Sequence, residues 1–323
     1  MSTPPAGSHP MESATMEDLR RAYREGRLEK HPYAKLIHAR HRILFDYSRY
    51  LVDSDVERIE IDANEVVVTS RSRQVKLVCL PDDEHLVPFT LLNFGSYEPL
   101  EVDVVLRLVQ PRMRVFDVGA NVGFYALVLA RWVADLDIHC FEPMERTCRT
   151  LERNVALNAV RCVRAYKMGF ADTDGAREFQ YAPVCSGGTS LADLGQPGGV
   201  VPVTAPVHRM DTFCEKHDLW PDYVKCDVEG AELLVVKGAA AAIRRARPIL
   251  QLELLRKWSA RFGYHPNDVL DLLAGYGYRC FVAAEGGTLR EFGRVTEETV
   301  ETNYFFLHGE AHREAIARTA VPR

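Results

Sequence analysis

Apolar and polar residues follow three successive patterns along the 323-residue chain. Over residues 16–50, Leu36, Ile37, Ile43, Leu44, Tyr47 and Leu51 recur at helical spacing among Arg, Glu and Tyr. This predicts two helices with a break at His31-Pro32. Over 56–80 the period shortens: Ile59, Ile61, Val66, Val68, Val75, Leu77 and Cys79 alternate with polar residues around a turn at Asp62-Ala63-Asn64. A small antiparallel β unit is expected there. From Val104 onward, apolar runs alternate with amphipathic stretches. Strands are expected at 115–117, 137–141, 162–167, 223–227 and 248–253, with helices at 123–133, 144–158 and 231–245. A helix at 266–276 and closing strands at 278–284 and 304–308 complete the pattern. Such alternation predicts an α/β fold, a mostly parallel sheet with helices on both faces. The long irregular stretch 181–202 is rich in Gly and Ser and is expected to carry function. The expected organisation is a disordered N-terminus (1–15), a helical arm and small β unit (16–100), the α/β domain (101–310) and a C-terminal tail (311–323).

Composition adds limits rather than identity. Hydrophobic residues make up 47% and charged residues 26%, ordinary for a globular protein. A net charge of −5 argues against a broad basic face for nucleic acid. The eight cysteines include no C-x-x-C pair, and several sit in apolar runs, as expected for core thiols in a reducing compartment. No apolar run approaches the ~18 residues that span a bilayer, and residues 1–14 lack an apolar signal core. A cytoplasmic protein without a membrane span is expected.

The chemistry concentrates at three places. In Val115-Phe116-Asp117-Val118-Gly119-Ala120-Asn121-Val122-Gly123-Phe124-Tyr125, an apolar run ends in an acid, and two glycines frame a turn before an apolar helix. Such a strand-to-helix junction brings backbone against a ligand at the carboxyl end of an open sheet. A dinucleotide site favours G-x-G-x-x-G. The spacing here is G-x-x-x-G behind an acid, which disfavours pyrophosphate and suits an ammonium group. Its bland alternative is a tight turn common to many α/β proteins. Glu142, in Phe141-Glu142-Pro143, ends the next strand and is placed to accept both hydroxyls of a ribose. Ammonium and ribose in one ligand, with no required phosphate, describe S-adenosylmethionine.

Methyl transfer from a sulfonium needs in-line alignment, and a hydroxyl acceptor must also lose a proton. The block Lys225-Cys226-Asp227-Val228-Glu229-Gly230-Ala231-Glu232 lies at the end of the fourth strand. Asp227 is the leading catalytic base or acceptor anchor, and Glu229 is the second candidate. Glu232 also fits a helix-dipole role. Glu253, ending the fifth strand, could join Asp227 and Glu229 in a carboxylate cluster suited to Mg²⁺, to Lys225 or to a substrate amine. The fifth strand end has no neighbouring Asp-Asp or Asp-Asn pair, so no metal ligand is assigned and a divalent metal is not expected. His208 is a third catalytic candidate, with a surface histidine as the alternative. Ser186-Gly187-Gly188-Thr189-Ser190 offers adaptable donors on the acceptor side. Thr212 with Glu215 reads as a helix capping box.

These blocks, with Asn154 and Asn158, Met210-Asp211, Gln251-Leu252-Glu253 and the upstream Gly95-Ser96-Tyr97-Glu98-Pro99, resemble the FkbM family of S-adenosylmethionine-dependent methyltransferases. The resemblance covers roughly residues 94–253, extends more weakly to the C-terminal strands, and is absent before about residue 86. It implies a class I methyltransferase, a Rossmann-like seven-stranded sheet in the order 3-2-1-4-5-7-6 with the last strand antiparallel. It implies that Asp117, Gly119, Asn121, Gly123 and Glu142 line the donor site. It further implies that Gly169, Phe170 and Asp172 flank the adenine, that Glu98 closes over the methionine end, and that Asp227 serves both cofactor and acceptor. The cofactor is then S-adenosylmethionine and the product S-adenosylhomocysteine. The implied activity is O-methylation of a hydroxyl on a sugar or other natural product. The alternatives are N-methylation of an amine or peptide side chain, and a non-catalytic binding protein on the same fold. The expected partners are a small-molecule acceptor (sugar, polyketide or peptide), no nucleic acid, and a second copy of the chain through the N-terminal arm.

Overall fold

A computed structural model describes residues 14–321. Of the expected disordered segment 1–15, all but Ala14 and Thr15 lies outside the described residues. The chain divides into two compact units at Ser54/Asp55, not near residue 100.

The first unit holds three helices, Met16–Arg24, Lys30–His41 and Ile43–Tyr50, where two were expected. Thr15 begins the first with a capping box: its hydroxyl accepts the Asp18 N–H at 3.1 Å, and Asp18 accepts the Thr15 N–H at 3.2 Å. The expected break at His31-Pro32 does not occur. Pro32 falls in the first turn of a helix, where its missing N–H has no intrahelical acceptor to satisfy. The chain turns earlier, over 25–29, around Gly26 at φ +73°. Leu36 and Ile37 are half-buried, whereas Ile43, Leu44 and Tyr47 are exposed.

The second unit begins with the meander β1 (Val56–Ile61), β2 (Val66–Ser70) and β3 (Lys76–Cys79). Asp62 Oδ1 shapes its first turn by accepting the Asn64 and Glu65 N–H groups at 2.7 and 3.0 Å. Beyond the helices Val87–Phe94 and Pro99–Leu108 come β4 (Arg114–Val118), β5 (Asp137–Phe141) and β6 (Val163–Tyr166). The strands β7 (Gly169–Phe170), β8 (Gly175–Tyr181) and β9 (Val201–His208) follow, forming a second three-stranded sheet. The rest are β10 (Tyr223–Cys226), β11 (Ile249–Glu253), β12 (Tyr278–Ala284), β13 (Thr288–Glu291) and β14 (Asn303–His308).

The main sheet runs β13-β12-β14-β11-β10-β4-β5-β6, with β4, β5, β6, β10 and β11 parallel. Omitting β13 and numbering the rest by chain position gives 3-2-1-4-5-7-6 from the β6 edge. The eighth strand, β13, was not expected; it returns from β12 as a hairpin. Strand β10 is buried at every position and β4 at all but Arg114, as befits parallel strands covered on both faces. Phe116, Phe141 and Phe213, with half-buried Tyr166, form one aromatic cluster of the core; Phe141 and Phe213 meet edge-to-face at 5.0 Å.

Several motif residues have structural work. Asn154 and Asn158 project from the helix Glu145–Leu157 onto the free edge of β3. Asn154 Oδ1 accepts the Val78 N–H at 2.9 Å, and its Nδ2 donates to the Val122 carbonyl at 2.9 Å. Asn158 exchanges both its amide groups with the Lys76 backbone at 2.8 Å. The small sheet is thereby tied to the helix and the glycine loop of the α/β part of the same unit.

The expected helix 231–245 is two helices, Glu232–Gly238 and Ala240–Ala246. Gly238 packs so tightly that a Cβ would stand 2.0 Å from the Ala171 carbonyl oxygen. Buried Asp211 accepts the Ala241 and Ala242 N–H groups at 3.0 and 2.8 Å, capping the second helix. The Thr212/Glu215 capping box does not form, because the helix Met210–His217 already starts after Arg209 and Thr212 instead donates to Asp174. The expected tail contains a helix, Arg313–Thr319. All eight cysteines are free. No described helix is long and apolar enough to cross a membrane.

Candidate active site

The loop from β4 to the helix Phe124–Trp132 is forced by its sequence. Gly119 sits at φ +76°, and a Cβ there would lie 1.8 Å from the Asp227 carbonyl oxygen. Only glycine permits both the dihedral and the approach. Asn121 also adopts a left-handed conformation, φ +48°, and its side chain accepts the Val122 N–H at 2.7 Å. The turn aims the Asn121 N–H at Glu142 Oε2, 3.1 Å away, while the Met144 N–H reaches Oε1 at 3.0 Å. Burial pushes the Glu142 carboxyl up to about 7, against the pull of these two amides. A carboxylate has about four acceptor positions, so Glu142 keeps capacity for a ligand diol.

Glu142 lines a cavity of about 410 Å³ at the carboxyl ends of the parallel strands. Across it stand Asp227, Glu229 and Glu253, each with one oxygen placed so that the three lie within 4.8 Å of one another. Lys225 Nζ donates to Asp227 Oδ2 at 2.9 Å and lies 4.9 Å from the Tyr125 ring centre. Burial works to raise the Asp227 carboxyl, but Lys225 and a hydrogen bond from Glu253 outweigh it and hold Asp227 below the usual range. Glu229 is pushed up to about 9 by burial and then by the Asp227 charge. Burial and Asp227 likewise push Glu253 well up. Lys225 thus favours the charged form of Asp227, whereas burial and the Asp227 charge favour the neutral forms of Glu229 and Glu253.

Glu98 lies at the start of the helix Pro99–Leu108, in a left-handed conformation at φ +42°. Its Oε2 accepts the Tyr125 hydroxyl at 2.5 Å, and its Oε1 accepts Asn303 Nδ2 at 3.3 Å. Burial raises its pKa, while Lys225 and Tyr125 pull it down.

The structure brings together Glu98, Gly119, Asn121, Glu142, Gly169, Phe170, Asp227, Glu229 and Glu253 around the cavity. Asp117, Gly123, Asp172 and His208, also predicted, do not line it. Asp117 pairs in register with Lys225 and is buried beneath the loop. Neither of its oxygens has a hydrogen bond of ordinary geometry among the described residues. Burial pushes Asp117 to about 6 despite Lys225. Gly123 is a packing glycine, where a Cβ would stand 3.1 Å from Leu151 Cγ. Asp172 faces Arg177 at 3.8 Å. His208 is half-buried, with Nδ1 3.2 Å from Asp174 Oδ1, at the end of β9 in the second sheet rather than in the cavity. Glu232 is a clamp: it accepts the Val228 and Gly230 N–H groups at 3.1 Å and the Tyr264 hydroxyl at 3.1 Å.

The 181–202 stretch does reach the cavity, through Cys185 to Thr189, Leu191 and Gln196. Ser190 instead ties it down, donating to the Glu229 carbonyl at 2.7 Å. Sequence reasoning missed Tyr97, Trp258 and His85, which also line the cavity. Tyr97 precedes Glu98, and Trp258 follows the Glu253 strand end; both positions carry the signal.

An acidic cavity at the carboxyl ends of an open, mostly parallel sheet, entered by a glycine loop, is the arrangement of α/β enzymes that bind nucleoside-type ligands. The chain belongs to the FkbM methyltransferase family: the Methyltransferase FkbM domain matches residues 117–280. It is 29% identical over 153 residues to methyltransferase sdnD of Sordaria araneosa, covering 38% of this chain and 59% of sdnD. It is 26% identical over 178 residues to the hexuronic acid methyltransferase AglP of Haloferax volcanii, covering 54% of this chain and 68% of AglP. Among solved structures, a methyltransferase FkbM from Methylobacillus flagellatus is similar over 61% of this chain and 44% of that one, with 17% identity and a TM-score of 0.39. The matched region thus spans about three fifths of the sdnD length.

Proposed function

We propose that the protein is an S-adenosylmethionine-dependent methyltransferase that O-methylates a hydroxyl of a small molecule, a sugar or another natural product. The observation that carries this is the cavity's polarity: Glu142 at one end, and the cluster of Asp227, Glu229 and Glu253 at the other. When bound, S-adenosylmethionine supplies an electrophilic methyl group. Glu142 accepts hydrogen bonds from the ribose diol, Gly169 and Phe170 flank the adenine, and Glu98 attracts the cationic methionine end. Buried Asp117 adds a longer-range negative potential.

Asp227 is the anion of the cluster and takes the acceptor's proton. Glu229 and Glu253, whose neutral forms are favoured by burial and by the Asp227 charge, orient the acceptor oxygen by hydrogen bonding. Ser186 and Thr189 supply further polar groups from the glycine-rich loop. His208 has no role in this reading. Because burial disfavours charge on two of the three acids, a hydroxyl acceptor is favoured over an ammonium. The carboxylate-rich lining disfavours a nucleic-acid backbone, and AglP's hexuronic acid supports a sugar. The free thiols support a reducing, cytoplasmic setting. A homodimer through the arm is supported by exposed Ile43, Leu44 and Phe45.

The test is transfer of label from methyl-labelled S-adenosylmethionine to a panel of glycosides, phenolic natural products and amines, preceded by calorimetry with S-adenosylhomocysteine. Labelling of hydroxyl acceptors is expected. Labelling confined to amines would replace the O-methyl reading, and absence of cofactor binding would revive the non-catalytic one.

A further inference from the structure

The carboxylate of Glu98 terminates a closed ring of buried hydrogen bonds that its role at the cofactor does not by itself require. The Tyr223 hydroxyl donates to Gln251 Oε1 at 2.9 Å. Gln251 Nε2 then faces both the Tyr125 hydroxyl oxygen at 3.4 Å and Asn303 Oδ1 at 3.3 Å. From there the Tyr125 hydroxyl and Asn303 Nδ2 each donate to a different oxygen of Glu98.

Donor and acceptor roles leave little freedom here. Two donors converge on Glu98, one to each oxygen. Asn303 must then turn its carbonyl to Gln251, so Gln251 presents its amino group to Asn303 and Tyr125. Its remaining oxygen receives the Tyr223 proton. Every bond points toward Glu98, and the pattern matches a carboxylate with two accepting oxygens. A carboxylic acid, whose hydroxyl oxygen is a poor acceptor, fits it less well.

We propose that Tyr125, Gln251 and Asn303 are positioning residues forming a one-way relay, fed from Tyr223, that keeps Glu98 ionised for the cationic end of the cofactor. The inference rests on the S-adenosylmethionine reading above. The relay opposes a hostile setting. Burial raises the Glu98 pKa, Asp227 and Glu101 raise it further, and Lys225 and the Tyr125 bond draw it down. Tyr97 and Glu253 also face this carboxylate electrostatically. A merely structural ring would satisfy its own polar groups whatever the charge on Glu98. A relay acts through that charge.

The experiment is calorimetric titration of the full chain with S-adenosylmethionine between pH 5.5 and about 6.8 (the range chosen to keep the ligand's ammonium mostly protonated), with folding followed by circular dichroism. The parent protein is compared with Tyr125→Phe, Tyr223→Phe, Glu98→Gln and the Tyr125→Phe/Glu98→Gln double variant. Tyr125→Phe is expected to weaken binding about tenfold at the acid end, with the loss shrinking as pH rises. Tyr223→Phe, one step further back, should show a smaller loss of the same form and serves if Tyr125→Phe does not fold. In the Glu98→Gln background, Tyr125→Phe should change affinity little. A loss that is the same at every pH, or undiminished in the Glu98→Gln background, would overturn the relay. Failure of the folded parent to bind S-adenosylmethionine would instead overturn the cofactor reading on which it rests.

Discussion

Gly119 and Asp227 share a crossing point: the Gly119 Cα lies so near the Asp227 carbonyl oxygen that a Cβ would be 1.8 Å from it. The Asp227 N–H donates to the neighbouring Val118 carbonyl at 3.0 Å. The glycine loop and the loop that carries Asp227 are thus one construction. Gly119→Ala combines a clash with a disfavoured dihedral and is expected to cost at least ~2 kcal/mol of stability. It should also abolish measurable cofactor binding. Denaturant unfolding and calorimetry check this; parent-like values in both would show that the loop has another way to pass.

Asp227→Asn separates chemistry from binding. The variant keeps a hydrogen-bonding group for Lys225 but loses the charge that accepts a proton. Turnover on an identified acceptor is expected to fall about 10²–10⁴-fold, with cofactor affinity changed far less. Single-turnover kinetics alongside calorimetry distinguish the cases. Equal losses in rate and affinity would move Asp227 to the donor site.

Glu142 and Asp117 are no longer equivalent, as their places in the sequence suggested. Glu142 faces the cavity with unused acceptor capacity, while Asp117 acts from beneath the loop. Glu142→Ala should weaken S-adenosylhomocysteine binding more than tenfold, by roughly the worth of hydrogen bonds to a charged group. Asp117→Asn should weaken it less. The reverse ranking would place the ligand against the wrong acid.

Glu142 and Glu232 have their carboxyls pushed up to about 7, and Asp117 to about 6, mainly by burial. At these three groups the folded protein therefore binds more protons than the unfolded chain between roughly pH 4 and 7. Stability from these groups is complete below the unfolded carboxyl range and is lost as pH rises through 6 to 7. Urea unfolding of the ligand-free protein should show stability falling from pH 5 to pH 8. Glu232→Gln should flatten that fall. A rise over the same window would contradict the burial-driven shifts.

The glycine-loop half of the cavity was the more legible half. Glycines at fixed spacing and acids at strand ends are local signals, and Gly119, Asn121 and Glu142 stand where their neighbours in the chain demand. His208 was misplaced because alternation says which face a residue takes on a strand, but not which sheet the strand joins. Strand β13 escaped because Thr288–Glu291 is short and pairs only along the sheet's edge. The interruption between Gly238 and Ala240 depends on contact with Ala171, distant in sequence and invisible to periodicity. The ring around Glu98 was hidden for the same reason: its members come from four separate elements, and no spacing connects them.

Asn154 and Asn158 have a practical consequence. From one helix they hold the edge of β3, and Asn154 also holds the Val122 carbonyl inside the glycine loop. A chain shortened to begin at the first recognisable motif would keep the whole glycine loop yet deprive the Asn154 and Asn158 side-chain oxygens of the Val78 and Lys76 N–H groups they accept from. The smallest fragment worth expressing therefore starts ahead of Val56, well upstream of the sequence that announces the family.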